Sequence, residues 1–168
     1  GYRQAAATLE QAAVQWKIAA QTTAAGKERE GISWELKGQS LQAKADYEAK
    51  AAEATESGKK PLAAVYRQAA ANSEKAADQF KQSALAKAAG KESEGISSGN
   101  EGKSLQAKAD YEAKEAEARE IGKKGLAEGY LKAAATSEKA EAQWKMATQT
   151  IIAGKESEGT AWGLKGQS

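Results

Sequence analysis

Acid and base chemistry in this chain would have to come from carboxylates, because its 168 residues include no histidine and no cysteine. Those two absences exclude an imidazole base, a thiol nucleophile, a disulfide framework and the usual zinc sites. Paired carboxylates do recur, as Glu28 and Glu30, Glu92 and Glu94, and Glu156 and Glu158, each pair just after a Gly-Lys step. Acidic residues that open a helix are ordinary partners of its dipole, so these pairs read as structural and no catalytic residue is assigned. Calcium binding needs a denser run of oxygen ligands than Gly-Lys-Glu-Ser-Glu-Gly supplies. Gly102-Lys103-Ser104 has the tail of a phosphate-binding loop, but the glycine required five positions earlier is replaced by Ser97, and no apolar strand precedes it. The expectation is a protein that is not an enzyme and carries no cofactor and no metal.

Binding chemistry then falls to the aromatic residues, since Trp and Tyr serve both as core fillers and as hot spots for partners. Their fixed spacing favours the core for most of them, whereas Trp34 and Trp162 lie beside glycine-flanked segments and are the candidate partner-binding residues. The partner expected is a protein or peptide. Nucleic acid is not expected, because 25 Lys plus Arg stand against 23 Asp plus Glu and the charges are interspersed. A membrane span is not expected either, because no stretch approaches the roughly 20 apolar residues needed to cross a bilayer.

What must position these residues is a repeat. Tyr2-Arg3-Gln4-Ala5-Ala6-Ala7 recurs as Tyr66-Arg67-Gln68-Ala69-Ala70-Ala71, and Ser40 to Lys50 reappears unchanged as Ser104 to Lys114, both 64 positions on. Half of that period is marked by Gly26-Lys27, Gly58-Lys59, Gly90-Lys91, Gly122-Lys123 and Gly154-Lys155, and by Asp46, Asp78 and Asp110. All ten aromatics fall on two phases of the 32-residue step, with Ser98 standing where another would be expected. The chain therefore reads as one helical repeat array over 1–168, with copies at about 2–65, 66–129 and 130–168. The last copy is cut short, so an excerpt of a longer protein is expected, with ends prone to self-association.

Alanine supplies 40 residues, whereas Leu, Ile, Val and Phe together supply 18, so helices must pack on small side chains with sparse aromatic wedges. A 4-3 spacing runs Leu62, Tyr66, Ala69, Ser73, Ala76, Phe80, Ser83, and similar stripes begin at Tyr2 and Leu126. Each Gly-Lys step suits a helix end, and Pro61 suits a first turn. The predicted helices are 2–25, 28–57, 61–89, 92–121, 124–153 and one from 156. Gly31, Gly38, Gly95 and Gly102 leave two readings of the even-numbered helices, unbroken or interrupted near Gly38 and Gly102 with Ser40 and Ser104 as caps. The Lys and Glu faces, such as Lys44, Glu48, Lys50, Glu53 and Glu56, read as solvated surface.

In the even units Trp34, Gly38, Leu41 and Tyr47 resemble the aromatic, glycine, large apolar and tyrosine positions of a tetratricopeptide repeat, although the unit is two residues shorter. That resemblance implies helical hairpins stacked into an array that binds other proteins. The fold class expected is all-α, antiparallel helical hairpins in an α-solenoid-like or elongated array. Two functions fit: a non-catalytic scaffold for protein–protein interaction, and a mechanical spacer or surface-exposed stalk without a specific ligand. The unchanged Ser40–Lys50 segment favours the spacer, because a selective groove should diversify.

Overall fold

A computed structural model describes residues 1–154 and 156–166, with the side chains of Glu156 and Ser157 also set aside. The described residues form six helices: α1 (Tyr2–Ala24), α2 (Glu28–Glu56), α3 (Lys60–Ala88), α4 (Glu92–Glu120), α5 (Lys124–Ile152) and α6 (Glu156–Gly166). Each bound falls within a residue of the predicted one.

The helices stop where the chain needs a left-handed residue. Gly26, Gly58, Gly90, Gly122 and Gly154 have φ between 73° and 81°, a region open to glycine and strained for residues with a Cβ. Behind the first four, the following lysine amide bonds five residues back, as from Lys59 to the Ala54 carbonyl at 2.8 Å and from Lys91 to Ala86 at 2.8 Å. That closes the last turn and satisfies carbonyls otherwise left open. A new helix starts directly after the lysine, with Glu28 and Glu30, or Glu92 and Glu94, in its first turn.

Each helix packs chiefly against the helices before and after it in the chain. Contacts nest around the turns: Tyr47 stacks on Tyr66 with centroids 6.3 Å apart, Lys44 meets Glu74 at 2.8 Å, and Ser33 meets Ser83 at 3.0 Å. The even-numbered helices also reach one another, through Tyr47 to Asp110 at 2.7 Å and Lys50 to Glu117 at 2.7 Å. The interior is made of small residues. Ala12, Ala69, Ala76, Ala84 and Ala109 are fully enclosed, and the largest fully buried side chains are six serines, Ser33, Ser40, Ser73, Ser83, Ser97 and Ser98.

α2 and α4 run unbroken through their internal glycines, which settles the two readings of the sequence. The reason lies across the interface. A Cβ on Gly38 would sit 2.6 Å from Trp16 Nε1, one on Gly102 would sit 3.1 Å from the Phe80 ring, and one on Gly166 would sit 2.9 Å from Trp144 Nε1. Each glycine is the seat of the aromatic ring that precedes it by 22 residues. Nearer the turn, a Cβ on Gly95 would come 3.1 Å from the Ser83 carbonyl oxygen, so glycine there lets two helix backbones approach.

The stripe from Leu62 to Ser83 is buried from Tyr66 onward, because α3 has a helix on either side. The corresponding stripes of α1 and α5 are covered less completely: Tyr2 is 52% exposed and Trp16 38% exposed. Two residues expected in solvent are not there. Glu48 is buried, accepting hydrogen bonds from Gln4 Nε2 and Thr8 Oγ1 at 2.8 Å each, and only 13% of the Lys44 side chain is exposed. Helix periodicity assigned them to the outer face of α2; α1 and α3 close over that face from both sides. No described helix is long and apolar enough to cross a membrane.

Candidate functional site

Trp34 and Trp162 are each the seventh residue of their helix, α2 and α6, and both are half-buried. A lysine three residues on lies over each ring, with Lys37 Nζ 5.3 Å from the Trp34 centroid and Lys165 Nζ 4.5 Å from that of Trp162. An i, i+3 spacing puts the two side chains on one helix face, so a cation over an indole follows from the local sequence. Trp34 Nε1 also donates to Glu30 Oε1 at 3.4 Å. Burial, and then the nearby Lys81, holds the Lys37 ammonium below its ordinary pKa.

The structure does not bring the two tryptophans together. α4 stands between their helices, and there Ser98 and Glu101 occupy the places of Trp34 and Lys37. Both are buried. Burial, with Glu141 as the second cause, pushes the Glu101 carboxyl up to about 7.

Two grooves run along this side. One, of about 390 Å³, opens between α2 and α4 over Phe80 of α3 and is walled by Leu36, Gln39, Lys103 and Asp110. Another, of about 280 Å³, opens between α4 and α6 over Trp144, with Ile96, Ile151 and Leu164 along it. Ile96 and Leu164 are exposed along the second groove, giving it an apolar rim. On the opposite side a charged groove of about 530 Å³ separates α1 from α3, lined by Gln4, Lys44, Glu48, Arg67 and Glu74.

The copies are not uniformly alike. Between residue n and residue n + 64, differences are densest at 14–23 and 29–39, where Val14 corresponds to Asp78, Ile18 to Gln82, Trp34 to Ser98, Leu36 to Asn100 and Lys37 to Glu101, and others are spread over 51–65. These segments flank the Gly26 and Gly90 turns and contribute Leu36, Gln39 and Phe80 to the α2–α4 groove. The unchanged segment, Ser40–Lys50 and Ser104–Lys114, does something else. Within it Tyr47 donates to Asp110, and Lys50 pairs with Glu117 just beyond, so its constancy maintains the junction between even-numbered helices.

The carboxylate pairs beside the turns are partnered singly. Glu92 pairs with Arg29 at 2.7 Å and Glu94 with Lys91 at 3.7 Å, while the Glu156 side chain lies outside the described residues. Gly102-Lys103-Ser104 lies inside α4, where its amides belong to the helix ladder. Ser97 points inward, 3.2 Å from the Trp144 carbonyl and 2.8 Å from Thr148 Oγ1.

Sequence reasoning missed two constellations: the ring-on-glycine seats, and the Tyr47–Asp110 and Tyr66–Glu117 hydrogen bonds at 2.7 Å and 2.9 Å. The first carried a signal, since the 22-residue interval recurs at Trp16–Gly38, Phe80–Gly102 and Trp144–Gly166. No protein-family model, curated protein or solved structure matches this chain.

Proposed function

We propose that the chain is a non-catalytic scaffold of stacked antiparallel hairpins, in 64-residue copies, that holds a protein or peptide segment along the α2–α4–α6 side. Each hairpin is about twice the length of a tetratricopeptide unit, and the binding mode is the one such arrays share, an extended segment lying across successive helices. The observation that carries this reading is the placement of the differences between copies. Among them Leu36, Gln39 with its counterpart Lys103, and Phe80 with its counterpart Trp144 line the two grooves, and Trp34, Ser98 and Trp162 differ on the same three even-numbered helices, while Ser40–Lys50 is identical to Ser104–Lys114. Constancy of Ser40–Lys50 thus no longer favours a spacer, because stacking alone requires it.

A displayed peptide library panned on the chain tests the proposal. Enriched peptides are expected to lose about tenfold or more in affinity on Trp34→Ala or Trp162→Ala, the behaviour of aromatic anchors. A library that yields no enriched peptide, or peptides indifferent to both substitutions, supports the spacer instead. The feature favouring that second reading is the elongated arrangement, in which each helix packs chiefly on its chain neighbours.

A further inference from the structure

Lys87 and Ile151 hold the same place 64 residues apart, one on α3 and the other on α5. Both cross a glycine of the helix that follows. A Cβ on Gly95 would sit 2.7 Å from Lys87 Cγ, and one on Gly159 would sit 2.5 Å from Ile151 Cγ1. Beyond that crossing Lys87 reaches α2, where its Nζ donates to Ser33 Oγ at 3.0 Å and to the Arg29 carbonyl at 3.3 Å. Ile151 stops well short of such a reach. The matching length between α4 and α6 is the groove of about 280 Å³, floored by Trp144 and Ile151 and flanked by Ser93, Ile96, Ser97 and Leu164. α4, α5 and α6 supply its two sides and its floor.

Ser93 and Ser97 are the counterparts of Arg29 and Ser33. The oxygens that receive the lysine in one joint are therefore present in the other, as the Ser93 carbonyl and the Ser97 hydroxyl. Ser97 Oγ donates to the Trp144 carbonyl at 3.2 Å and shares a bond with Thr148 Oγ1 at 2.8 Å. A hydroxyl has one proton and two lone pairs, so it can still accept from an incoming donor. Charge changes in the same direction. By sequence Arg29, Lys87 and Glu92 become Ser93, Ile151 and Glu156, so two cations and one anion are replaced by an anion alone. A joint that has lost both positive charges and kept its oxygen acceptors is the complement of an ammonium.

We propose that the α4–α6 groove receives a lysine side chain of the bound segment, its methylenes against Trp144, Ile96 and Ile151 and its ammonium donating to the Ser93 carbonyl and Ser97 Oγ. The lysine presupposes the peptide-binding side proposed above and names a residue that the segment must carry. Such a side chain suits the groove because its stem covers apolar surface while its charged head stays at the rim, where Ser93 is exposed.

Two small probes test the groove without a peptide. n-Butylammonium, which reproduces the lysine side chain, and 1-butanol, its neutral counterpart, are titrated into the full chain and followed by heteronuclear NMR. n-Butylammonium is expected to shift the Trp144 indole and the Ile96 and Ile151 methyl signals saturably, with half-saturation below about 50 mM, and 1-butanol to bind about tenfold more weakly. Ile151→Lys, which copies Lys87, is expected to abolish these shifts, and Lys87→Ile to create a second site marked by Ser33. Far-UV circular dichroism verifies that both variants keep their helices. No saturation by about 200 mM overturns the proposal, as does equal binding of 1-butanol or binding unchanged by Ile151→Lys. Peptides enriched on the chain separate the lysine from the scaffold beneath it. Norleucine in place of one lysine is expected to weaken them about tenfold on the chain but not on the Ile151→Lys variant. Enriched peptides indifferent to norleucine overturn the lysine and spare the scaffold; a library with no enriched peptide overturns both, even where n-butylammonium binds.

Discussion

Gly102 and Gly129 show how one residue type plays opposite parts. Both lie inside helices, where alanine is preferred by about 1 kcal/mol. A Cβ on Gly129 would meet nothing within 4 Å, whereas one on Gly102 would press on the buried Phe80 ring at 3.1 Å and on the Ala76 carbonyl at 3.2 Å. Urea unfolding should therefore show Gly129→Ala more stable by about 0.5–1 kcal/mol and Gly102→Ala less stable by about 1–3 kcal/mol, the range for overpacking. Equal responses would mean that the ring seat does not constrain the helix. Glu101 gives a second test. Its carboxyl is raised to about 7 from an ordinary 4.5 by burial first and Glu141 second, so the folded chain holds a proton that the unfolded chain releases. Stability should fall as pH rises from about 4.5 to about 7, by at most about 3 kcal/mol, and Glu101→Gln should flatten that slope. Unfolding midpoints measured at pH 5 and pH 8 decide it. At this scale the sequence was only partly legible: spacing located the rings, but a glycine's purpose depends on the atoms of a neighbouring helix, and Glu48 lies beneath α1 rather than in water.

Helices were the most legible feature, because an alanine-rich run ended by Gly-Lys leaves the backbone one inexpensive way to stop. The open question was continuity across Gly38 and Gly102, and local propensity alone could not answer it, since the compensation comes from Trp16 and Phe80 on another helix. The turns make a sharp prediction. A Cβ on Gly58 would meet nothing within 4 Å, yet its φ is +74°. Gly58→Ala should cost about 1–2 kcal/mol in chemical denaturation purely through backbone strain. A neutral result would show that the α2–α3 turn relaxes out of the left-handed region.

Taken whole, the molecule is a row of helices whose exposed area, 9336 Å², exceeds the roughly 7,900 Å² expected of a compact chain of 17.6 kDa. Candidate surfaces were the least legible level, because a groove is made by three helices at once and belongs to no single stretch of sequence. Trp34 and Trp162 were singled out from their glycine flanks, whereas Tyr47–Asp110 and Lys50–Glu117 link residues 63 and 67 positions apart and leave no local signal. An interior of alanine methyls and serine hydroxyls also has a thermal signature. Hydration of newly bared hydrocarbon is what raises heat capacity on unfolding, and hydration of polar groups lowers it. This chain should therefore fall below the usual 12–15 cal/mol/K per residue by roughly a third in scanning calorimetry. Its stability curve would be shallow and broad, keeping the helices together deep into the cold, where proteins with oil-rich centres lose their hold.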